Sequence, residues 1–387
     1  MPTKKELRVA IIGYNFMGKA HSNAWLQASR FFDIPLKPVL QVACGRNEKA
    51  LRSFADTWGW NHIETDWKKV VAREDVDVVD ISVPQYLHHE MAIAAARAGK
   101  HLFCEKPMAL NTSEAEAMLR EAEAAKVVHY LNHNYRRTPA VQLARQLIDE
   151  GKIGRIYHWR GAYQQDWIVD PNFPLTWQLR KETAGSGPHN DLNSHSVDLA
   201  HYLVGDIKSV SCLTASFIKE RPLPSQDATA FTGGATGAAA RGAVTVEDAS
   251  LMMVEFAHGA VGSFEATRFA QGRKNRNMFE IYGSDGALVF NLERMNELEF
   301  FSRKDSENAQ GFRTILATES SHPYIKNWWP PGHIIGYEHA FTHGVVDFVG
   351  AVANGTPIAP NFGDGVKCVR VLEAGLKSAA SGKKELV

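Results

Sequence analysis

The chain has 387 residues, 44% apolar and 22% charged, and its 43 lysines and arginines balance its 43 aspartates and glutamates. That length fits two domains, and a balanced charge leaves no basic excess for nucleic acid and no acidic tail for a basic partner. Four cysteines without C-x-x-C spacing argue against a zinc site or disulfide framework. No run of about 18 apolar residues predicts a membrane span, and the charged N-terminus does not read as a signal peptide, so a cytoplasmic protein is expected.

In chain order, "LRVAIIG" reads as a buried strand and "FMGKAHSNAWLQAS" as the helix after it. "KPVLQVACG" and "EKALRSFADTWG" repeat the pair, and "VDVVDISVP" with "YLHHEMAIAAARAGK" repeat it again. "HLFCEKP" and "VVHYLNHN" close the series around the helical "SEAEAMLREAEAAK". Strands apolar on both faces, alternating with helices, predict a doubly wound parallel sheet over residues 1–131. From 132 the pattern changes. After the helical "TPAVQLARQLIDEGKIG", two antiparallel hairpins are expected, turning on "HG" in "SLMMVEFAHGAVGSFEATRF" and on "SDG" in "MFEIYGSDGALVFN". They predict an α+β domain at 132–387 around a large, open, mostly antiparallel sheet. "YEHAFTHGVVDFVGAVANG" and "GVKCVRVLEAGLKSAASG" read as terminal helices, and the Gly/Ala-rich 232–244 as a mobile loop.

The loop "GYNFMG" (13–18) joins the first strand to the first helix. Gly13 suits a tight turn and Gly18 close helix–strand packing, while the helix N-terminus offers N–H groups and a positive dipole end to phosphate. Asn15 stands where a dinucleotide loop usually has its second glycine, followed by Phe16 and Met17. Asparagine tolerates left-handed backbone better than most residues, so the loop is weakened but not forbidden. At the end of the second strand stand Cys44, Gly45 and Arg46, with no carboxylate until Glu48. A carboxylate there would grip a ribose 2′-hydroxyl and an arginine would accept a 2′-phosphate. The residues lean toward NADP and leave NAD open.

"FCEKPMALN" sets Glu105, Lys106 and Pro107 at the carboxyl end of a parallel strand, where ligands of such sheets bind. In "GSGPHNDLNSHSVDLAHYLVG", helical from about residue 189, Asp191 and His195 are four apart and share one helix face. His195 can take a hydroxyl proton near neutral pH. Asp198 and His201 continue the helix, but no third metal ligand is evident, so no metal is expected. Trp159, Trp167, Trp177, Trp328 and Trp329 supply aromatic faces of the kind that pack on sugar rings.

In this combination the chain resembles the Gfo/Idh/MocA oxidoreductases, through the modified glycine loop, "VPQYLHHEMAIAAARAGKHLFCEKP", "NYRRTPA" and the segment bearing Asp191 and His195. The resemblance spans nearly the whole chain. It implies a Rossmann domain (1–131) and a substrate-binding and oligomerisation domain (132–387), paired into homodimers or homotetramers. By the same resemblance Lys106 is the substrate-binding lysine, His195 the general acid/base and Asp191 the carboxylate contacting substrate. Tyr135 and Arg136 line the substrate cleft, and Trp167 is the tryptophan whose aromatic face is expected against the substrate. Pro84, His88, Glu105 and Lys106 join Gly13, Asn15, Phe16, Met17, Gly18, Gly45 and Arg46 beside NAD or NADP. The implied reaction oxidises a secondary hydroxyl of a cyclic polyol or sugar, such as an inositol, anhydrosugar or glycoside, to a ketone. A nicotinamide-dependent glycosidase and a non-catalytic nucleotide-sensing regulator are the alternatives.

Overall fold

The computed structural model describes residues 4–224 and 240–387. Two compact units emerge: Met1–Thr138 with Pro323–Val366, and Pro139–His322 with Lys367–Val387. The first unit therefore takes in a stretch of chain far beyond the boundary expected at 131.

The first unit opens with β1 (Glu6–Ile12), α1 (Phe16–Phe31), β2 (Lys37–Cys44), α2 (Glu48–Trp58), β3 (His62–Glu64) and α3 (Trp67–Val71). It continues with β4 (Val78–Ile81), α4 (His88–Arg97), β5 (His101–Cys104), α5 (Thr112–Ala124) and β6 (His129–Leu131). The six strands pair in parallel in the order β3-β2-β1-β4-β5-β6. All four residues of β4 are buried, as helices on both faces require. The helices start and stop where local chemistry dictates. Asn47 caps α2 by accepting from the Ala50 N–H, and Gly59 ends that helix in the left-handed region (φ 78°). Strand order reverses between β1 and β4, which opens a crevice at their carboxyl ends.

The second unit contains α6 (Pro139–Asp149), β7 (Ile156–Gln164), α7 (Lys181–Ala184), α8 (Pro188–Asp191), α9 (Asn193–Leu203) and β8 (Ile207–Ala215). A separate two-stranded ladder pairs β9 (Glu220–Pro222) antiparallel with β10 (Arg241–Ala243). Then come β11 (Ala249–Phe256), β12 (Val261–Thr267), β13 (Arg276–Gly283), β14 (Gly286–Asn291), β15 (Glu297–Ser302) and β16 (Arg313–Leu316). The large sheet has nine strands in the order β16-β15-β14-β13-β7-β12-β11-β8, with β17 (Glu385–Leu386) on the far edge. Among the described residues of this sheet, β7 and β12 are the one pair that runs parallel. Both expected hairpins form, β11 with β12 and β13 with β14. Burial alternates along β11: Met252, Val254 and Phe256 face the core, while Leu251 and Met253 stay exposed. Of the stretch 232–244 expected as a mobile loop, residues 232–239 lie outside the described residues and Arg241–Ala243 is strand β10.

The chain returns to the first unit through a segment holding Trp328, which packs with Ile325 and Ile335 against Phe31 and Phe32. Helix α10 (Tyr337–Asn354) follows and lies against α1, with Phe341, Val345, Phe348 and Val349 in one core with Val9, Ile11, Trp25 and Phe103. Helix α11 (Phe362–Ser381) begins in the first unit and ends in the second. No described helix is long and apolar enough to cross a membrane.

Candidate active site

In the first unit, the candidates of the glycine loop, of the end of β2 and of the turn after β5 fall at the carboxyl end of the parallel sheet. Gly13 follows β1 with φ 111°, and a Cβ there would lie 2.4 Å from the Ser82 carbonyl oxygen. A Cβ on Gly18 would lie 2.4 Å from the Gly13 carbonyl oxygen. Both positions therefore admit only glycine, and the bare backbone between them fits a pyrophosphate at the start of α1. Asn15 does not use the left-handed freedom expected of it. It is the extended N-cap residue (φ −78°, ψ −150°), and its side chain makes no capping bond to the first-turn N–H groups. Those groups have no partners within the helix and suit an anion. Phe16 is half exposed, and its ring stacks on Tyr337 with centroids 6.3 Å apart. Tyr337 in turn meets the buried Tyr135 at 6.4 Å.

After β2, Cys44 is buried and Arg46 is exposed, with Tyr14 packed over Gly45 so closely that a Cβ there would meet its ring at 2.2 Å. Arg46 is thus the exposed cation at the strand end where the second ribose of a dinucleotide would be read.

Two expected cofactor contacts are placed differently. His88 is fully buried, its ring nitrogens 3.0 Å from the Pro107 carbonyl oxygen and 2.9 Å from that of Val83. It braces the Lys106–Pro107 turn from behind, and burial holds its pKa low. Glu105 is also buried. Its Oε1 accepts from His21 Nε2 at 2.9 Å and Asn132 Nδ2 at 2.6 Å, and its Oε2 from the Lys106 backbone N–H at 3.2 Å. Burial alone would raise the Glu105 pKa, but the bond from His21 and the charges of His21 and Lys106 hold it below the ordinary value. Arg136 is buried with Nη2 3.3 Å from Asp364 Oδ1, so its charge is matched within this unit.

In the second unit, the helix expected from residue 189 is two pieces. The backbone hydrogen-bond pattern breaks at Leu192, although that residue keeps right-handed helical angles (φ −91°, ψ −48°). Asp191 therefore ends α8 and His195 lies in the first turn of α9. Piece one is pinned by the fully buried His189, which lies 2.8 Å from both Ser250 Oγ and the Leu372 carbonyl oxygen. His195 is 5% exposed, and its ring lies 5.7 Å from that of Tyr163. Asp191 is partly open (37% side-chain exposure), and its Oδ2 accepts from Arg268 Nη2 at 2.6 Å.

Arg268 was not among the sequence candidates. Its guanidinium also lies over the Trp167 ring, 5.1 Å from the centroid, so Asp191 and Trp167 are joined through it. The other tryptophans divide cleanly. Trp159 is core, stacked on Phe279, and Trp328 is held in the first unit by donating to His343 Nε2 at 2.7 Å. Among the described residues no group of three or more His, Cys, Asp and Glu could hold a metal ion.

Comparison with known proteins adds the following. A family model described as an oxidoreductase family with NAD-binding Rossmann fold matches residues 7–133, and one described as the GFO/IDH/MocA C-terminal domain matches 141–289. Levoglucosan dehydrogenase of Pseudarthrobacter phenanthrenivorans is 43% identical over 378 residues, 97% of each chain. A crystal structure of an oxidoreductase domain protein from Kribbella flavida matches at 48% identity with a TM-score of 0.94, covering 99% of both chains. A levoglucosan dehydrogenase complex with NADH and levoglucosan matches at 42% identity with a TM-score of 0.93, over 99% of this chain and 100% of that one.

Proposed function

We propose that this chain, which belongs to the Gfo/Idh/MocA oxidoreductase family, is an NAD-dependent dehydrogenase oxidising a secondary hydroxyl of a cyclic sugar or polyol to a ketone. His195 takes the hydroxyl proton, Lys106 donates a hydrogen bond to the same oxygen, and Asp191 binds the substrate through its carboxylate. When bound, the nicotinamide supplies the hydride acceptor. Tyr135, Arg136 and Trp167 shape the substrate's surroundings, and the glycine loop with the start of α1 holds the pyrophosphate.

The observation that carries this reading is the setting of His195: a nearly buried imidazole one turn beyond a carboxylate that is itself anchored by a buried arginine. Such a group can exchange a proton with a hydroxyl while water is kept away. The substrate class is supported by the relatives, since levoglucosan dehydrogenase has been solved with NADH and levoglucosan and with NADH and L-sorbose. An anhydropyranose is therefore the first substrate to try. NAD is preferred because those complexes hold NADH. Arg46 and the lack of a carboxylate after β2 leave room for NADP as a slower alternative.

The remaining features complete the proposal. Leu213, Leu251, Met253 and Val261 form an exposed apolar face on β8, β11 and β12, suited to pairing of two copies into a homodimer or homotetramer. Four free cysteines support a cytoplasmic location.

The deciding experiment follows NADH absorbance with levoglucosan, inositols, monosaccharides and glycosides as substrates. Reduction of NAD by an anhydrosugar or cyclic polyol is expected. Free sugar released from a glycoside without net reduction would replace this reading with the glycosidase. No turnover with any of them, despite tight dinucleotide binding, would replace it with the regulator.

A further inference from the structure

Two arginines in the second unit are almost wholly buried, and they are held in opposite ways. Arg221 is 0% exposed and donates to three backbone carbonyls: Asp170 at 2.8 Å, Phe173 at 3.4 Å and Ile168 at 2.6 Å. It ties the 168–173 stretch to β9 and has the contacts of a structural staple. Arg268 is 1% exposed, yet among the described residues its guanidinium has one hydrogen-bond acceptor, Asp191 Oδ2. Its Nε and Nη1 have no hydrogen-bond partner among the described residues. Burying a full guanidinium for a single carboxylate contact is poor stabilisation, and an apolar side chain of similar volume would serve the fold as well or better.

What Arg268 does provide is control of Asp191. Its backbone is fixed at the end of β12, where the Arg268 N–H donates to the Asp248 carbonyl oxygen at 3.4 Å and the neighbouring Thr267 hydroxyl donates to the same oxygen at 2.9 Å. Its guanidinium lies over Trp167, whose indole N–H donates to Gln165 Oε1 at 2.8 Å and whose ring meets Phe173 edge-on at 5.1 Å. A cation anchored 2.6 Å from one oxygen of a half-open carboxylate favours one rotamer of that side chain.

We infer that Arg268 is a positioning residue for the reaction, holding the Asp191 carboxylate oriented toward the substrate, with Trp167 as the wall that keeps the guanidinium in place. This rests on the reading above that Asp191 contacts substrate. Trp167 then acts on the sugar partly through Arg268, and Arg268 sets substrate affinity without taking part in proton transfer.

The test compares Arg268→Met, Arg268→Lys, Arg221→Met, Asp191→Asn and the Arg268→Met/Asp191→Asn double variant. Each is assayed for melting temperature, NADH affinity by fluorescence, and kcat and KM for the sugar. Arg268→Met should melt at or above the wild-type temperature and bind NADH normally, yet lose roughly 10- to 100-fold in kcat/KM, chiefly through a raised sugar KM. Arg268→Lys should recover part of that loss, and the double variant should be no worse than Asp191→Asn alone. Arg221→Met should lower the melting temperature. Wild-type kcat/KM in Arg268→Met, with Asp191→Asn impaired, overturns the inference and leaves the function standing. Wild-type activity in Asp191→Asn overturns both. A fall in Arg268→Met melting temperature matching that of Arg221→Met, or losses that multiply in the double variant, makes Arg268 merely structural and overturns the inference.

Discussion

His21 Nε2 lies 2.9 Å from Glu105 Oε1, while Nδ1 on the other side of the same ring lies 2.8 Å from Asp80 Oδ1. Both nitrogens face carboxylate oxygens, so the ring is an imidazolium locked between α1 and the ends of β4 and β5. Trp25 adds a donor to Asp80 at 2.7 Å. Burial alone would lower the His21 pKa, but the charges and bonds of Asp80 and Glu105 outweigh it and push the value up to about 10. The turn carrying Lys106 thus rests on a buried ion network one residue behind it.

A raised histidine pKa contributes stability that is fully present below the unfolded value of 6.5 and is lost as pH rises through about 10. The gap in unfolding free energy between wild type and His21→Leu should therefore shrink between pH 7 and pH 10. At pH 7 the variant should lose about 3–5 kcal/mol, because two buried carboxylates are left without their cation. Urea titrations across that range measure it; a gap that does not change with pH would remove the imidazolium from the account.

Acid should act on the same unit through the opposite sign. Burial pushes His343 down to about 3, His133 to about 3 with Arg136 and Lys106 adding to the effect, and His129 to about 4. These rings stay neutral when folded and charge at about 6.5 when unfolded, so stability should fall as pH drops from 6.5 toward 4. His343 accepts from Trp328 at 2.7 Å through Nε2 and therefore donates from Nδ1 to the Arg137 carbonyl oxygen at 2.8 Å. His343→Gln keeps a donor and an acceptor without the titration, and should flatten part of the acid slope. An unchanged slope would assign the acid sensitivity elsewhere.

Much of this arrangement was legible before any coordinates, and the gaps have physical causes. Apolar runs such as "VAII" and "VVDI" announced strands buried on both faces, and the hairpin turns announced the second sheet. A local signal is present at Asp80 as well: it is a carboxyl group inside a fully buried strand, and such a group demands a partner. His21 and Trp25 sit four apart on the inward side of α1 and supply it. Other features had no local signal. Arg268 meets Asp191 from 77 residues away, and α10 joins the first unit through Phe341, Val345 and Phe348, whose periodicity names a buried face but not its partner. The break at Leu192 escaped for a related reason, because no glycine or proline marks it.

Catalysis should respond to His195 and Lys106 in different ways. His195→Ala should lower kcat by roughly 100- to 10,000-fold, the usual value of general acid–base help. Lys106→Ala should lower kcat/KM by about 10- to 100-fold and weaken sugar binding as well, as loss of a charge-assisted hydrogen bond does. NADH fluorescence titration should show dinucleotide binding persisting in His195→Ala. If both groups serve one hydroxyl, the double variant should be far less impaired than the product of the single losses. Independent, multiplying losses would separate their roles.

The exposed face of the large sheet makes its own prediction. Leu251 pairs in register with Leu213, and Met253 beside them is 69% exposed. Replacing Leu251 and Met253 with arginine puts unpaired charges into any surface that two copies share. Light scattering should then report a monomer with its fold intact by circular dichroism. A double variant with the wild-type mass would exclude this face as the contact.

Arg46 yields a prediction about cofactor choice. It is exposed immediately after Gly45, at the strand end where a ribose hydroxyl or its phosphate is read, and no carboxylate follows it in the sequence before Glu48. A guanidinium gains charge-assisted hydrogen bonds from a 2′-phosphate but has no equivalent claim on a hydroxyl. Arg46→Ala should accordingly leave kcat/KM with NAD within a few-fold of wild type and lower kcat/KM with NADP by about 10- to 100-fold. Arg46→Asp should go further, since a carboxylate repels the phosphate and accepts from the ribose hydroxyls. Gly45 limits how such a carboxylate can be introduced: at that position a side chain would strike the Tyr14 ring, so the exchange must be made one residue later. Steady-state rates with both dinucleotides measure the outcome, and equal losses with the two would show that Arg46 supports the loop without reading the phosphate.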